Sequence, residues 1–404
     1  MNQSDSTGLP AYYRWYILAL SAMTFTFAVG IPTMCMPVLF REISEALGLS
    51  LVQIGAVWGL VPFSGIFVVL AGGLLSDRFG IKRVLYAACF LAGLAGASRG
   101  FSNSFTTLAF TLFLFGLVGA MIPPVVHKAC GVWFADRHLG LANGIVSTGM
   151  AVGFTIGSLI SSTLLSPLLG GWRNVLFLYG FISVLIGILW FFSRDDRSLH
   201  EDSGSSGGPL PFRQALSRIV HIKEVWILGF ILLGQLGCVQ GVLGYLPLHL
   251  RAVGWSGSRA DSALAVFHAA SMIGVAPMAL LSDRVKSRES ILFVAIVMTI
   301  VGVTMISLSN GLLVWIAVIV AGMVRDGFMS VLMTTIIETD RIGAEYAGTA
   351  IGFILMISRL VAFLSPPIGN SLARFSPSLP FIFWALLAAS ALIGFIFLRK
   401  KKSV

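Results

Sequence analysis

Of 404 residues, 57 % are hydrophobic and only 11 % charged, against about 45–50 % and about 25 % in soluble domains. Too few polar side chains exist to cover a water-soluble fold of this size, which excludes a cytosolic enzyme, a nucleic-acid-binding domain and a disordered chain. The net charge of +10, from 27 Lys+Arg and 17 Asp+Glu, needs a membrane explanation first, because basic residues beside spans set orientation.

Runs of about 20 apolar residues, the length a helix needs to cross the hydrocarbon core, predict twelve spans in chain order. Their limits are 15–39, 52–75, 84–102, 106–129, 141–165, 174–193, 224–247, 260–281, 290–309, 312–337, 346–371 and 379–398. The first run is too long, and too polar at its end, for a cleaved signal peptide, so it is expected to stay in the mature protein. With the N-terminus inside, eighteen of the 27 basic residues fall in cytoplasmic segments, six outside and three within spans. This bias predicts a multi-pass protein of the cell membrane with both termini cytoplasmic. Cys35, Cys89, Cys130 and Cys238 lie scattered in apolar stretches without metal or redox spacing and read as small apolar residues.

Residues 194–222, ending in GSSGGPLP before FRQALSRIVHIK, interrupt the rhythm at the midpoint. The first part has linker composition, and 212–223 predicts a short amphipathic helix on the inner membrane surface. The predicted organisation is all-α: a six-helix bundle over 1–193, a cytoplasmic linker over 194–222 and a second six-helix bundle over 223–404. An internal repeat supports it. LLSDR occurs at 74–78 and again at 280–284, each copy ending the second span of its half, and Gly140, Ala142 and Gly144 recur as Gly348, Ala350 and Gly352. Duplication of six spans is the sequence sign of a two-half secondary transporter.

The stretch GLLSDRFGIKR, Gly73 to Arg83, resembles the signature of the major facilitator superfamily between its second and third spans. WFADRHLGLANG (Trp133 to Gly144) and GGWRNVLFLYG (Gly170 to Gly180) resemble that superfamily's loops before spans five and six. The resemblance covers the whole chain and implies two pseudo-symmetric six-helix bundles. It also implies a latch of Gly73, Asp77, Arg78, Gly80, Lys82 and Arg83, with Asp77 docking near the start of span eleven. A helix N-terminus there would receive a carboxylate favourably. The second copy keeps Asp283 and Arg284 but lacks an equivalent of Gly80. Phe113 to Phe115 stand where the superfamily's drug antiporters carry an arginine, and Phe154 stands where they carry a proline, so drug export loses weight.

Ionisable side chains at membrane depth are costly and are functional candidates by default. Arg325 and Asp326 lie near the middle of span ten, Arg359 in span eleven, His127 and Lys128 in span four and His268 in span eight. Neighbours on a helix point about 100° apart, so Arg325 and Asp326 are not expected to pair with each other. Asp326 is the only carboxylate deep in a predicted span, and a carboxylate taken out of water favours its protonated form; with His268 it is a candidate for proton coupling. Three deep cations against one carboxylate leave the interior positive, which an anionic substrate relieves. A guanidinium grips carboxylates and oxyanions in two-pronged fashion, so Arg325 and Arg359, with His127, Gln235, Gln240 and Tyr245, are the candidate substrate-binding residues.

The leading expectation is a secondary transporter of a small anion, such as a monocarboxylate or inorganic oxyanion, coupled to protons. It is expected to act as a monomer in the lipid bilayer, with no nucleic acid, cofactor or metal. The alternatives are an exporter of amphiphilic drugs or metabolites and a non-transporting membrane sensor. An enzyme is not expected, because the dispersed histidines and the single deep aspartate supply neither a nucleophilic nor a metal constellation.

Overall fold

A computed structural model of the chain describes residues 12–134, 138–194, 212–285, 287–308, 311–339 and 342–399. Among these, twelve helical segments are long and apolar enough to cross a membrane. Spans one to six are Tyr13–Leu47, Leu51–Phe79, Ile81–Phe101, Phe105–Trp133, Leu139–Leu169 and Trp172–Phe192. Spans seven to twelve are Lys223–Ala252, Gly257–Arg284, Arg288–Leu308, Leu312–Ile337, Gly343–Leu372 and Leu379–Arg399. Each predicted span has its helix. The first outruns its apolar stretch because the amphipathic REISEAL continues the helix into water until Gly48 ends it at φ +63.

Local chemistry sets the other ends. Ser50 opens span two with a capping box, its Oγ accepting from the Gln53 N–H while its own N–H donates to Gln53 Oε1. Spans two and three are joined by Gly80 alone, at φ +87 and ψ 153, a conformation that L side chains rarely adopt. The repeat's second copy leaves its helix through Val285 at φ −87, which demands no glycine. A short helix also forms at Phe212–Val220; residues 195–211 of the expected linker lie outside the described residues.

Glycines let the helices meet backbone to backbone. A Cβ on Gly149 or Gly153 of span five would stand 2.7 Å from the carbonyl of Ala22 or Thr26 in span one, and Thr26 Oγ1 donates to Gly149 O at 2.7 Å. Gly93 and Gly180 join spans three and six in the same way. Span four is interrupted between Gly119 and Ile122, with Pro123 and Pro124 opening its second half, and span ten is interrupted at Val324. Span eleven runs through Pro366 and Pro367 as one helix, and their backbone packs against Gly55 of span two.

The helices form two six-helix bundles. Twelve crossings place Tyr13 and Arg399 on one face, the terminal face; the opposite one is the far face. Toward the far face, hydrogen bonds join the halves. Trp58 Nε1 donates to Gln240 O at 2.8 Å, Asn370 Nδ2 to Leu51 O at 2.8 Å and Arg251 Nη2 to Ser162 Oγ at 3.3 Å. Gly59 lies against the Phe363 carbonyl and Gly244 against the Trp58 ring, so side chains larger than hydrogen are excluded along this seam. The bundles are thus closed against each other at the far face.

Candidate functional site

The break in span ten places charge at mid-depth. Val324, at φ −95 and ψ −10, ends the helix Leu312–Met323 and precedes the helix Arg325–Ile337. Arg325 and Asp326 therefore occupy the first turn of a half-helix, where backbone N–H groups look for partners outside the helix. The Asp326 N–H lies 3.2 Å from Ser271 Oγ of span eight, and that hydroxyl donates to Asp326 Oδ2 at 2.7 Å. Spans eight and ten approach closely on both sides of the break, Gly274 lying against Met323 O and Gly322 against Phe267 O.

Arg325 and Asp326 do pair, contrary to expectation. Arg325 Nη1 lies 3.3 Å from Asp326 Oδ1. Divergent Cβ directions limit short side chains, but a long arginine that begins a helix can curl back over its neighbour. The contact lacks hydrogen-bond geometry, and Arg325 Nη1 has no hydrogen-bond partner among the described residues. The guanidinium carbon lies 5.2 Å from the ring centre of Phe154 in span five, so Arg325 faces the other half of the protein. On Phe154 also lies His268, ring centres 5.2 Å apart. His268 is 1 % exposed, and neither ring nitrogen has a partner among the described residues. A buried polar atom without a partner costs free energy, so Arg325 and His268 form a place where hydrogen-bonding capacity stands unused.

The other expected residues are distributed around this point. Arg359 extends from span eleven to Gly65 of span two, across the junction of the halves, and its Nη1 is likewise buried and unpartnered among the described residues. His127 is exposed, its Nδ1 2.9 Å from Asn143 Oδ1 and its ring beside Phe25. Lys128 Nζ donates to Ser76 Oγ at 3.4 Å. Gln235 donates to Thr299 Oγ1 of span nine at 2.8 Å, and Tyr245, 2 % exposed, lies among Phe381, Trp384 and His249. Gln240 contributes its carbonyl to Trp58. Residues five apart on a helix point about 140° from one another, so Gln235, Gln240 and Tyr245 do not face one ligand together.

At the expected latch, Arg78, Arg83 and Arg284 are exposed; the Arg78 guanidinium carbon lies 5.3 Å from the Phe79 ring centre and Lys82 Nζ lies 6.0 Å from that of Phe191. The surroundings of Gly73, Asp77 and Asp283, and with them the docking of Asp77, lie outside the described residues.

Sequence reasoning missed a second charged constellation. Arg251, in the last turn of span seven, and Asp261, near the start of span eight, form a 2.6 Å ion pair with side chains 6 % and 0 % exposed. Their signal in the sequence was faint, since both sit at span ends where charges ordinarily meet water. Arg99 is fully buried as well: it donates to Pro32 O at 2.9 Å, tying span three to span one, with its guanidinium carbon 4.1 Å from the Phe115 ring centre.

Known proteins resemble the chain along nearly all of its length. The family model of the Major Facilitator Superfamily matches residues 16–366. A probable 4-methylmuconolactone transporter of Cupriavidus pinatubonensis is 26 % identical, over 92 % of this chain and 87 % of that protein. The 4-hydroxybenzoate transporter PcaK of Pseudomonas aeruginosa is 24 % identical, over 94 % and 91 %. Among solved structures, a bacterial homolog of the human lysosomal transporter Spinster, in an inward-facing and occupied conformation, superposes with a TM-score of 0.74 at 17 % identity, covering 95 % of this chain and 97 % of that one.

Proposed function

Starting from a chain that belongs to the Major Facilitator Superfamily and is a multi-pass membrane transporter, not an enzyme, we propose that it carries a small organic anion, with aromatic monocarboxylates as the first class to test. The observation that carries this reading is Arg325: a mid-depth guanidinium at a helix break, turned toward the other half, with Nη1 unpartnered among the described residues. A carboxylate completes that group's hydrogen bonds and neutralises its charge. The ring of Phe154 beneath the guanidinium suits an aromatic body on the substrate. A relative named for 4-hydroxybenzoate supports the aromatic class, and one named for 4-methylmuconolactone, a lactone acid without an aromatic ring, supports the broader class of small organic anions.

Transport proceeds by alternating access. The far-face seam is the closed gate of one state, and the halves rock about the mid-depth site to open it. The terminal face is cytoplasmic, on the basic-residue bias, and the membrane is the cell membrane. Proton coupling runs through Asp326, the carboxylate that stands between Arg325 and the Ser271 hydroxyl. His268, one turn from Ser271, is the second proton candidate. Arg359 binds at the junction with span two.

The test is uptake of 4-hydroxybenzoate, galactarate, nitrate and a neutral nucleoside into proteoliposomes under an imposed pH gradient. Uptake of an acid that rises with the gradient, is lost in Arg325→Ala and loses its gradient dependence in Asp326→Asn is the expected outcome. Undiminished acid uptake by Arg325→Ala defeats the anion reading; undiminished gradient dependence in Asp326→Asn defeats the coupling role.

A further inference from the structure

The seam at the far face contains a polar network whose charges do not balance. Arg251 Nη2 donates to Asp261 Oδ1 at 2.6 Å, and the same nitrogen lies 3.3 Å from Ser162 Oγ at the end of span five. Ser162 in turn donates to Glu42 Oε1 at 3.3 Å, and Ser166 donates to Glu42 Oε2. Glu42 belongs to span one, so a hydroxyl relay connects a carboxylate of one half to a guanidinium–carboxylate pair of the other. Asp261 is fully buried, and its Oδ2 has no hydrogen-bond partner among the described residues. Beside the network lies a cavity of about 340 Å³ bordered by Arg41, Glu45, Thr163, Gly257 and Ser258 as well as Glu42 and Arg251. At its rim Arg41 and Glu45 satisfy each other at 2.8 Å. Arg259, two residues before Asp261, is exposed. Inside the network, therefore, one guanidinium stands against two carboxylates, in contact with Asp261 and joined to Glu42 through the Ser162 hydroxyl.

Two carboxylates set against a single cation, Asp261 fully buried and Glu42 half-buried beside the cavity, carry one negative charge too many, and uptake of a proton removes it. We infer that closure of the far face binds one proton, held at the buried Oδ2 of Asp261 while the Glu42 carboxylate stands one hydroxyl away, and that opening this face returns it to the solution on the same side. The proton is a ligand of the closed conformation and is not cargo, because the cavity through which it exchanges lies at the far face. Acid on that side holds the gate shut whether or not substrate is present. The inference rests on the alternating-access reading and is independent of which solute is carried.

Double electron–electron resonance on the purified, substrate-free protein tests it, with spin labels at Thr106→Cys and Phe375→Cys, two exposed far-face positions. The four native cysteines are buried. Lowering the pH from about 8 to about 5 is expected to convert long label distances to short ones, with the closed-to-open ratio changing by up to about tenfold per pH unit, the limit for one linked proton. Glu42→Gln and Asp261→Asn each remove the surplus charge and are expected to keep the short distance at every pH. Glu42→Gln is nearly isosteric and decides the matter if Asp261→Asn does not fold. A distance distribution that ignores pH in the parent protein, or a full pH response surviving in Glu42→Gln, overturns the inference. A normal pH response in a protein that transports no anion leaves it standing and removes only the substrate reading.

Discussion

Among the described residues stand two arginine–aspartate pairs of opposite character. Arg251 and Asp261 touch at 2.6 Å with side chains 6 % and 0 % exposed; Arg325 and Asp326 stand 3.3 Å apart at 19 % and 36 %. In the first pair the guanidinium is committed on several sides, to Asp261, to Ser162 and to the Pro247 carbonyl. In the second, Nη1 remains without a hydrogen bond and the carboxylate leans on Ser271. The difference separates a gate from a solute site: a tight, buried pair holds chain positions in the closed state, whereas a loose one at mid-depth keeps capacity for a solute.

The sharpest way to break this comparison is to truncate both arginines. Arg251→Ala strands Asp261 in a dry site, and removing one partner of a buried pair costs about 3–5 kcal/mol. The loss should appear as a lower midpoint in denaturant titration of the reconstituted protein. Binding of 4-hydroxybenzoate, measured on protein that remains folded, should change only a few-fold. Arg325→Ala should behave in the opposite way. A hydrogen bond to a charged group contributes about 1.5–3 kcal/mol, so affinity should fall roughly 10- to 150-fold while the denaturation midpoint stays nearly fixed. If Arg325→Ala unfolds as readily as Arg251→Ala, both pairs are structural and the distinction fails. Next in size is Ser271→Ala, which frees Asp326 to draw closer to Arg325 and to compete with the substrate; a loss of about 1 kcal/mol, roughly fivefold in calorimetric affinity, is expected.

How much of this was legible in the sequence depended on whether the relevant property runs along the chain or across it. Apolar run length found all twelve spans, and the LLSDR repeat found the two bundles. Gly80 stood out as the one latch glycine without an equivalent in the second copy, and at φ +87 it alone joins spans two and three. The mid-depth charges Arg325, Asp326 and Arg359 were visible because charge inside an apolar run is conspicuous. Arg251, Asp261 and Glu42 were not, because at span ends a charge that meets water and a charge that meets another helix have the same local sequence. The pairing of Arg325 with Asp326 was hidden for a related reason: Cα directions follow from helix geometry, but the reach of a long side chain at a helix break does not.

Tyr245 gives the smallest predicted effect and the most direct control on the site. It resembles a binding residue in sequence, a hydroxyl in a Gly-rich span near two glutamines. In the structure its ring is enclosed by Phe381, Trp384 and His249, on the side of span seven that packs against span twelve. No hydrogen bond ties its hydroxyl to another described residue in that cluster, so Tyr245→Phe removes an oxygen and leaves the aromatic packing intact. Affinity for 4-hydroxybenzoate and the denaturation midpoint should both stay within about 0.5 kcal/mol of the parent, the range of substitutions that touch no special feature. A tenfold loss of affinity in this variant would mean that span seven turns Tyr245 toward the substrate in another state of the transport cycle. The proposed binding surface would then extend well beyond Arg325 and Arg359.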